Sequence, residues 1–182
     1  MGKNGSVVVM QPDEIQQALE KLADGIVEHS PDRQKLVLVG IHTGGVHLAR
    51  RIREIILRSH QLSVPVGTLD ITLYRDDWTR LHTQPVVKAT DLPFVIDDRQ
   101  VVLVDDVLFT GRTIRAALDA LIDYGRPRTV QVAVLVDRGH RELPIFAQFI
   151  GLHLNTNIEE QVNVLLEEKD GIDQVVTEWT SV

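Results

Sequence analysis

Two aspartates, Asp105 and Asp106, directly follow a run of four apolar residues at 101–104 in the stretch VVLVDDVLFTGRT. The apolar run is typical of a buried β-strand, so the two carboxylates are expected at its carboxyl end. Adjacent like charges make each other harder to ionise, and the pair therefore adds nothing to folding. We expect a ligand that is positively polarised, or rich in hydroxyl groups, to lie against them.

A second polar group follows in the same stretch. Thr110, Gly111, Arg112 and Thr113 open a predicted helix, where backbone N–H groups lack acceptors, the helix dipole favours anions and two hydroxyls can donate. The stretch lacks the lysine and the spacing of a P-loop, and it does not match the dinucleotide-binding glycine pattern. It predicts a site for the phosphate of a small sugar phosphate, whose ribose hydroxyls would donate to the two aspartates.

A purely structural role for the aspartates is the alternative. Asp106 could cap the following helix, and Asp105 could pair with a nearby arginine. This alternative leaves the predicted phosphate site without a function.

Alternating strands and helices are predicted to position these groups. Strands are predicted at 36–41, 67–74, 101–104 and 130–136, and helices at 12–28, after HTGG at 42–45, and from 110 to a stop at Gly125 and Pro127. This order predicts an α/β fold, an open, mostly parallel, twisted sheet flanked by helices. The segment VNVLLEEKDGIDQVVTEWT predicts a C-terminal hairpin or small hood with its turn at 169–171. Ligands of such sheets bind beyond the carboxyl ends of the strands, so the loops at 42–45, 105–113 and 137–145 should converge.

The composition limits the class of protein. The chain has 182 residues, 43% hydrophobic and 25% charged, which is typical of one globular domain, predicted over residues 1–182. The net charge of −7 argues against a uniformly positive surface, although Arg50, Arg51, Arg53 and Arg58 form a local basic group. Cysteine is absent and no apolar run could span a bilayer, so we expect a cytoplasmic protein without membrane contact.

The quoted stretch VVLVDDVLFTGRT resembles the fingerprint of the type I phosphoribosyltransferases. With DITLYRDD, ALDALIDYGRP and LVDRGHRELPI, it makes the chain similar to one family among them, the pyrimidine operon attenuation regulators that double as uracil phosphoribosyltransferases. The resemblance covers about residues 10–180. It implies a reaction of uracil with 5-phosphoribosyl 1-pyrophosphate (PRPP) that gives UMP and pyrophosphate. It also implies Mg²⁺, bound through substrate oxygens rather than in a dedicated protein site.

The same resemblance implies roles for individual residues toward PRPP. Asp105 and Asp106 would hold the ribose diol. The 5-phosphate would bind at Val107, Leu108, Phe109, Thr110, Gly111, Arg112 and Thr113. The pyrophosphate would bind at His42, Thr43, Gly44 and Gly45. Arg75 would act with the two aspartates in catalysis, closing over the leaving group in an arm at 75–85, with Lys88 assisting.

The base is expected in the loop DRGHRELPI. Backbone groups would read uracil at Val136, Asp137, Arg138 and Ile145. The loop offers no aromatic residue of the kind expected to stack on a purine. Arg138 or Arg141 keeps orotate open as an alternative base, because a cation could bind its extra carboxylate.

A second function implied by the resemblance is that of an RNA-binding attenuator that responds to UMP or UTP and forms homodimers or homotetramers. The candidate RNA contacts are Lys21, Arg50, Arg53 and Arg141. Several departures from the family pattern weaken this alternative. Glu20 and Asp24 stand where RNA-binding relatives tend to have Thr and His, and Phe146 and Leu152 stand where they have Arg and Lys.

Gly44 is a further departure, because many relatives carry arginine there. Losing that cation is expected to weaken pyrophosphate binding and to slow catalysis.

Overall fold

The computed structural model describes residues 5–76 and 87–179. The strands are β1 Val7–Met10, β2 Leu36–Ile41, β3 Val66–Leu69, β4 Gln100–Leu108, β5 Thr129–Asp137, β6 Phe149–His153, β7 Glu160–Leu165 and β8 Gln174–Trp179. The helices are α1 Pro12–Glu28, α2 Gly44–His60, α3 Arg112–Ile122 and the short α4 Glu167–Asp170. Short 3₁₀ turns lie at Arg33–Lys35 and Thr72–Tyr74.

Five parallel strands form the central sheet, in the order β3-β2-β4-β5-β6. Every residue of β2 is buried, as expected of a strand covered on both faces. On one face Leu38 and Val104 pack with α1 and α2, whereas on the other Val39 and Leu103 pack with α3. The predicted open, mostly parallel sheet with flanking helices is confirmed.

The first helix has the predicted bounds. Ile15, Leu19, Leu22 and Ile26 form its buried stripe. At its start, the N–H of Gln11 donates to the Glu14 carboxylate at 2.8 Å. This contact satisfies a backbone donor at the helix N-terminus, so the boundary is set locally.

A second, antiparallel sheet has the order β1-β8-β7. Its apolar side chains Met10, Val162 and Val175 belong to the same buried cluster as α1 and α2. The predicted C-terminal hairpin is therefore confirmed, and its turn contains α4. The hairpin packs on the central sheet through the face that carries α2.

Two predicted strand boundaries are wrong. The strand predicted at 67–74 ends at Leu69, and a 3₁₀ turn follows, because the side chain of Asp70 accepts the N–H of Thr72 at 2.8 Å and bends the chain. The strand predicted at 101–104 continues to Leu108, with Asp105 paired to Val134 and Leu108 to Asp137. The two aspartates thus lie within a strand. Sequence periodicity also missed β1 and β6, which are short and partly exposed.

No helix within 5–76 or 87–179 is long and apolar enough to cross a membrane. The predicted single domain over 1–182 stays a prediction. Most of the predicted arm at 75–85 lies outside the described residues.

We predict that Gly45→Ala destabilises the fold. A Cβ atom at this position would overlap the backbone carbonyl oxygen of Val104, and neither α2 nor β4 can move without disturbing the core. The expected loss is about 1–3 kcal/mol in the free energy of unfolding, the usual cost of overpacking. Denaturant unfolding measures it. Gly5→Ala is the control, because a Cβ there meets nothing within 4 Å; equal stabilities of the two variants would contradict the prediction.

Candidate active site at the carboxyl edge of the sheet

The paired aspartates are held by backbone donors at the end of β4. The Asp105 carboxylate accepts the N–H of Asp106 at 2.9 Å, and the Asp106 carboxylate accepts the N–H of Val107 at 2.8 Å. Asp105 is only 6% exposed. Asp106 does not cap a helix, because the N-cap of α3 is Gly111. The alternative in which Asp106 caps the following helix is therefore wrong.

Burial makes both carboxyl groups hard to ionise. It raises the pKa of Asp105 well above its ordinary value, and the charge of Asp106 raises it further. Burial also raises the pKa of Asp106, although the N–H of Val107 opposes the shift. The pair therefore favours a ligand that donates hydrogen bonds or brings positive charge, as the sequence predicted.

The β2–α2 loop lies directly against the second aspartate. A Cβ atom at Gly44 would overlap the Asp106 carboxylate, so a larger residue at this position would require that carboxylate to shift. The predicted pyrophosphate residues are brought together here: Lys88 Nζ donates to Thr43 Oγ1 at 2.8 Å, and His42 Nε2 lies 3.2 Å from the carbonyl oxygen of Ala89. The peptide bond between His42 and Thr43 is cis.

A cavity of about 260 Å³ opens beside the start of α3. The predicted phosphate-binding stretch at 107–113 lines it, together with Arg75 and Asp76. Gly111 has a φ of +93°, a conformation that turns the chain from the strand into the helix and that favours glycine. The structure thus brings Arg75 to the same cavity as the predicted phosphate loop.

Two carboxylates near this cavity, those of Asp76 and Glu142, were not among the residues predicted from the sequence. Arg112 joins them, since its Nη1 donates to Asp76 and its Nε donates to Glu142 at 2.6 Å. The side chain of Arg112 therefore ties the segment after β3 to the loop after β5. Its backbone N–H lies 3.4 Å from Thr110 Oγ1.

Asp70 is another residue that sequence reasoning missed. Its carboxylate accepts the N–H groups of Thr72 and Lys88, and its own N–H donates to Thr90 Oγ1 at 3.0 Å. Burial alone would raise its pKa, but the hydrogen bonds from Thr72 and Lys88 leave the pKa below the ordinary value. Asp70 thus joins the chain after β3 to Lys88 and Thr90. Only its place in an otherwise alternating strand pattern, DITLY, could have drawn attention to it.

The loop after β5 is braced by its two arginines. Arg141 donates to the Asp137 carboxylate and to the carbonyl oxygens of Phe109 and Ile145, at 2.7 and 2.9 Å. Arg138 donates to Thr156 Oγ1 and to the Asn157 carbonyl, and its guanidinium lies 4.1 Å from the centroid of the Phe109 ring. Both arginines are engaged within the protein.

The four predicted base-reading residues lie in or next to this loop. Two of their N–H groups have internal acceptors: Arg138 donates to the Leu108 carbonyl at 3.1 Å and Ile145 to the Leu143 carbonyl at 2.8 Å. Val136 pairs with Val107 on one side and Leu152 on the other. Base reading by these residues stays a prediction.

The predicted RNA contacts differ in exposure and in pairing. Lys21 and Arg50 are exposed, Arg53 pairs with Glu54, and the side chain of Arg141 is only 16% exposed. Glu20 and Asp24, the acidic departures on α1, face Arg58 and His60 of α2, at 4.0 and 2.7 Å. Phe146 is exposed, and Leu152 is half-buried in β6.

Comparison with known proteins agrees with this geometry. The model of the phosphoribosyl transferase domain matches residues 11–168. A protein of Syntrophobacter fumaroxidans named bifunctional protein PyrR is 70% identical over 178 residues, which are 98% of this chain and 96% of that one. The protein of the same name from Thermus thermophilus is 54% identical over 92% of each chain.

Among solved structures, the hypoxanthine phosphoribosyl transferase of Trypanosoma cruzi has a TM-score of 0.72 at 16% identity, over 99% of this chain and 94% of that one. A hypoxanthine-guanine phosphoribosyltransferase of Bacillus anthracis has a TM-score of 0.70 at 16% identity, over 94% and 97%. At these identities the likeness concerns the fold. The resemblance found in the sequence is thus confirmed, and the chain belongs to the phosphoribosyl transferase family and, within it, to the proteins named bifunctional protein PyrR.

Proposed function

We propose that this protein transfers the 5-phosphoribosyl group of PRPP to N1 of uracil, giving UMP and pyrophosphate. One observation carries the proposal: the buried pair Asp105 and Asp106 lies between a glycine loop that can admit an anion and a cavity lined by the start of α3. A ribose with a phosphate at one end and a pyrophosphate at the other matches this arrangement.

In this proposal the ribose hydroxyls donate to the two aspartates. A hydrogen bond from a hydroxyl stabilises the ionised form, which burial opposes in the free protein. The 5-phosphate binds in the 260 Å³ cavity, where N–H groups at the start of α3 and the hydroxyls of Thr110 and Thr113 donate to it. Substrate binding and the ionisation of the pair therefore favour each other.

The reaction needs charge stabilisation more than covalent help. As the bond between C1 and the pyrophosphate oxygen breaks, its electron pair leaves with pyrophosphate and positive charge develops on the ribose. N1 of uracil bonds to C1 and releases its proton to water. Carboxylates on the ribose side, Lys88 at the pyrophosphate loop and Arg75 at the phosphate cavity stabilise this separation of charge.

Magnesium is part of the proposal. No group of three or more His, Cys, Asp or Glu side chains that could hold a metal ion occurs in the part of the chain that the structure describes. Two adjacent carboxylates beside a substrate rich in phosphate oxygens nevertheless suit a hard cation that keeps most of its ligands from substrate and water. Bound there, Mg²⁺ would neutralise the pyrophosphate, and Asp105 and Asp106 are the residues that would face it.

The bracing of Arg138 and Arg141 supports uracil over orotate. Orotate carries a carboxylate that needs a cation, but Arg141 already pairs with Asp137 and Arg138 already donates to Asn157. Breaking either set of bonds would leave buried groups without partners, at a cost of about 1–3 kcal/mol for each group. Uracil has no such group and leaves this loop intact.

Regulation by RNA binding is the second candidate, favoured by the word bifunctional in the relatives' name. In this proposal, UMP or UTP bound in the same site changes the affinity of the protein for a pyrimidine leader transcript. Lys21 and Arg50 are the exposed cations that could contact phosphates. Assembly as a homodimer or homotetramer and a cytoplasmic location belong to the same proposal.

The purified protein should make UMP from uracil and PRPP when Mg²⁺ is present. Because no cation of the base loop is available for a carboxylate, kcat/KM for uracil should exceed that for orotate on the order of 100-fold or more. Product formation is measured by chromatography with uracil, orotate and hypoxanthine in parallel. Product from orotate or hypoxanthine but none from uracil would refute the proposed substrate.

We expect Asp105→Asn to lower turnover on the order of 100-fold while it stabilises the fold. In the unfolded chain this carboxyl ionises near its ordinary pKa of 3.8, but in the folded protein its pKa is raised, so ionisation opposes folding as the pH rises above about 4. The stability of the variant relative to wild type should therefore grow from pH 4 toward neutrality, at about 2–4 °C in Tm for each kcal/mol.

Asp119→Asn is the matched control, because Asp119 is exposed on α3, where it pairs with Arg115 at 2.9 Å. It should change neither turnover nor the pH dependence of Tm. A stability difference for Asp105→Asn that shrinks toward neutral pH would be opposite in sign to the prediction.

For the regulator, the affinity for the pyrimidine leader transcript should rise with UMP and fall steeply with salt. Arg50→Gln removes one exposed cation and should reduce the slope of log affinity against log salt by about 1. Gel-shift titrations at several salt concentrations measure it. An affinity insensitive to UMP and to salt would eliminate this function.

A further inference from the structure

Arg51 fastens the small sheet to α2. Its Nε and Nη2 donate to the Glu168 carboxylate at 2.8 and 2.6 Å, and its Nη1 and Nη2 donate to Asp173 at 2.7 and 2.8 Å. These hydrogen bonds lower the pKa of both carboxyl groups, so the three groups stay charged together. Paired, parallel hydrogen bonds of this kind restrict the relative orientation of the two side chains as well as their distance. The position of α4 on α2 is therefore closely defined.

This arrangement places α4 along the first turns of α2. Arg51 follows Gly44 by two helical turns, about 10 Å, and lies on nearly the same helix face. His47 lies between them, and its charge acts on Glu168. The start of α2 is also the end that approaches Asp106, through Gly44. The short helix and the predicted pyrophosphate loop are therefore neighbours.

Apolar packing holds the same elements together. Leu166, which directly precedes α4, is buried in the cluster shared by α1 and α2, and Val107, next to Asp106, packs against that cluster. Strands β4 and β7 also approach each other. The buried side chain of Leu166 thus fixes the start of α4 at a point close to β4.

Lys169 follows Glu168 in this helix. Its side chain is 58% exposed, and its ion pair with Asp170 is long, at 3.7 Å, so that pair holds it only weakly. Burial raises the pKa of Asp106, and the ammonium of Lys169 is among the groups that lower it. Its positive charge therefore acts on the second aspartate, Asp106.

In this chain position 44 supplies no cation for the leaving group, because it is glycine. Any side chain there would overlap the Asp106 carboxylate, unless that carboxylate moved. Lys88 approaches the loop from one side, where it contacts Thr43. The small sheet approaches it from the side of α2.

We propose that Lys169 is a second cation of the pyrophosphate site, reaching it from the small sheet, and that Arg51 is the residue that positions it. This inference rests on the proposed function and deepens it. Lys169 provides a charge that Gly44 lacks, and it acts on the leaving group and on Asp106 from the side of α2.

Direct binding tests the inference without relying on turnover. Isothermal titration of the full chain with pyrophosphate, in the presence of Mg²⁺, should give an affinity about tenfold weaker for Lys169→Gln than for wild type, the effect of losing one charged partner. Lys169→Arg should restore most of it. Lys35→Gln is the matched control, because Lys35 pairs with Asp98 elsewhere and its loss should leave the affinity unchanged. Equal pyrophosphate affinity for wild type and Lys169→Gln, or no binding by either, would overturn the inference.

Kinetics separate this inference from the proposed function. In Lys169→Gln the KM for PRPP should rise about tenfold while the KM for uracil stays unchanged. Wild type that binds pyrophosphate but makes no UMP would refute the function and not the site. Active wild type with an unchanged KM for PRPP in Lys169→Gln would refute the site and not the function.

A double-mutant cycle tests the positioning role of Arg51. Arg51→Met should weaken pyrophosphate binding several-fold in the wild-type background and hardly at all in Lys169→Gln, because the cation it positions is already gone. Circular dichroism and Tm establish that each variant folds. An equal loss of pyrophosphate affinity in both backgrounds would mean that Arg51 does not act through Lys169.

Discussion

Asp105 and Asp106 place two carboxylates side by side at the edge of a buried sheet, where burial and mutual repulsion oppose their ionisation. The surrounding elements accommodate the two carboxylates. Backbone N–H groups of the same strand donate to both side chains, and the glycine at the start of α2 leaves room for the second carboxylate. A folded protein that keeps such a pair has given up stability at the point where a ligand must bind.

The surrounding loops are joined to one another by side chains rather than by the backbone alone. Arg112 links the segment after β3 to the loop after β5, Asp70 links the end of β3 to Lys88 and Thr90, and Arg51 links the small sheet to α2. Each link crosses between elements that carry different parts of the proposed substrate site. The ribose, phosphate and pyrophosphate positions are thereby held in register with each other, which is what a reaction driven by charge placement requires.

Engaging both arginines of the base loop has a consequence for specificity. A guanidinium that already donates to a carboxylate and to backbone carbonyls cannot bind a charged base without leaving those acceptors unpaired. The loop is consequently expected to disfavour a charged base, because neither of its guanidinium groups is free to bind one. The same bracing largely buries Arg141. The other predicted RNA contacts, Lys21, Arg50 and Arg53, lie on α1 and α2, the helices that also carry or face Glu20 and Asp24.

The sequence by itself determined the parallel sheet, the bounds of α1, the convergence of the 42–45, 105–113 and 137–145 loops, and the family. These depend on short-range patterns: apolar runs, helical periodicity, and polar turns at the ends of strands. Tertiary structure alone decided that β4 continues through the aspartates, that Gly44 lies against Asp106, that Arg138 and Arg141 are engaged, and that Arg51 joins α4 to α2. These contacts join residues far apart in the chain, and which donor meets which acceptor depends on the packing of whole elements, which no local pattern encodes.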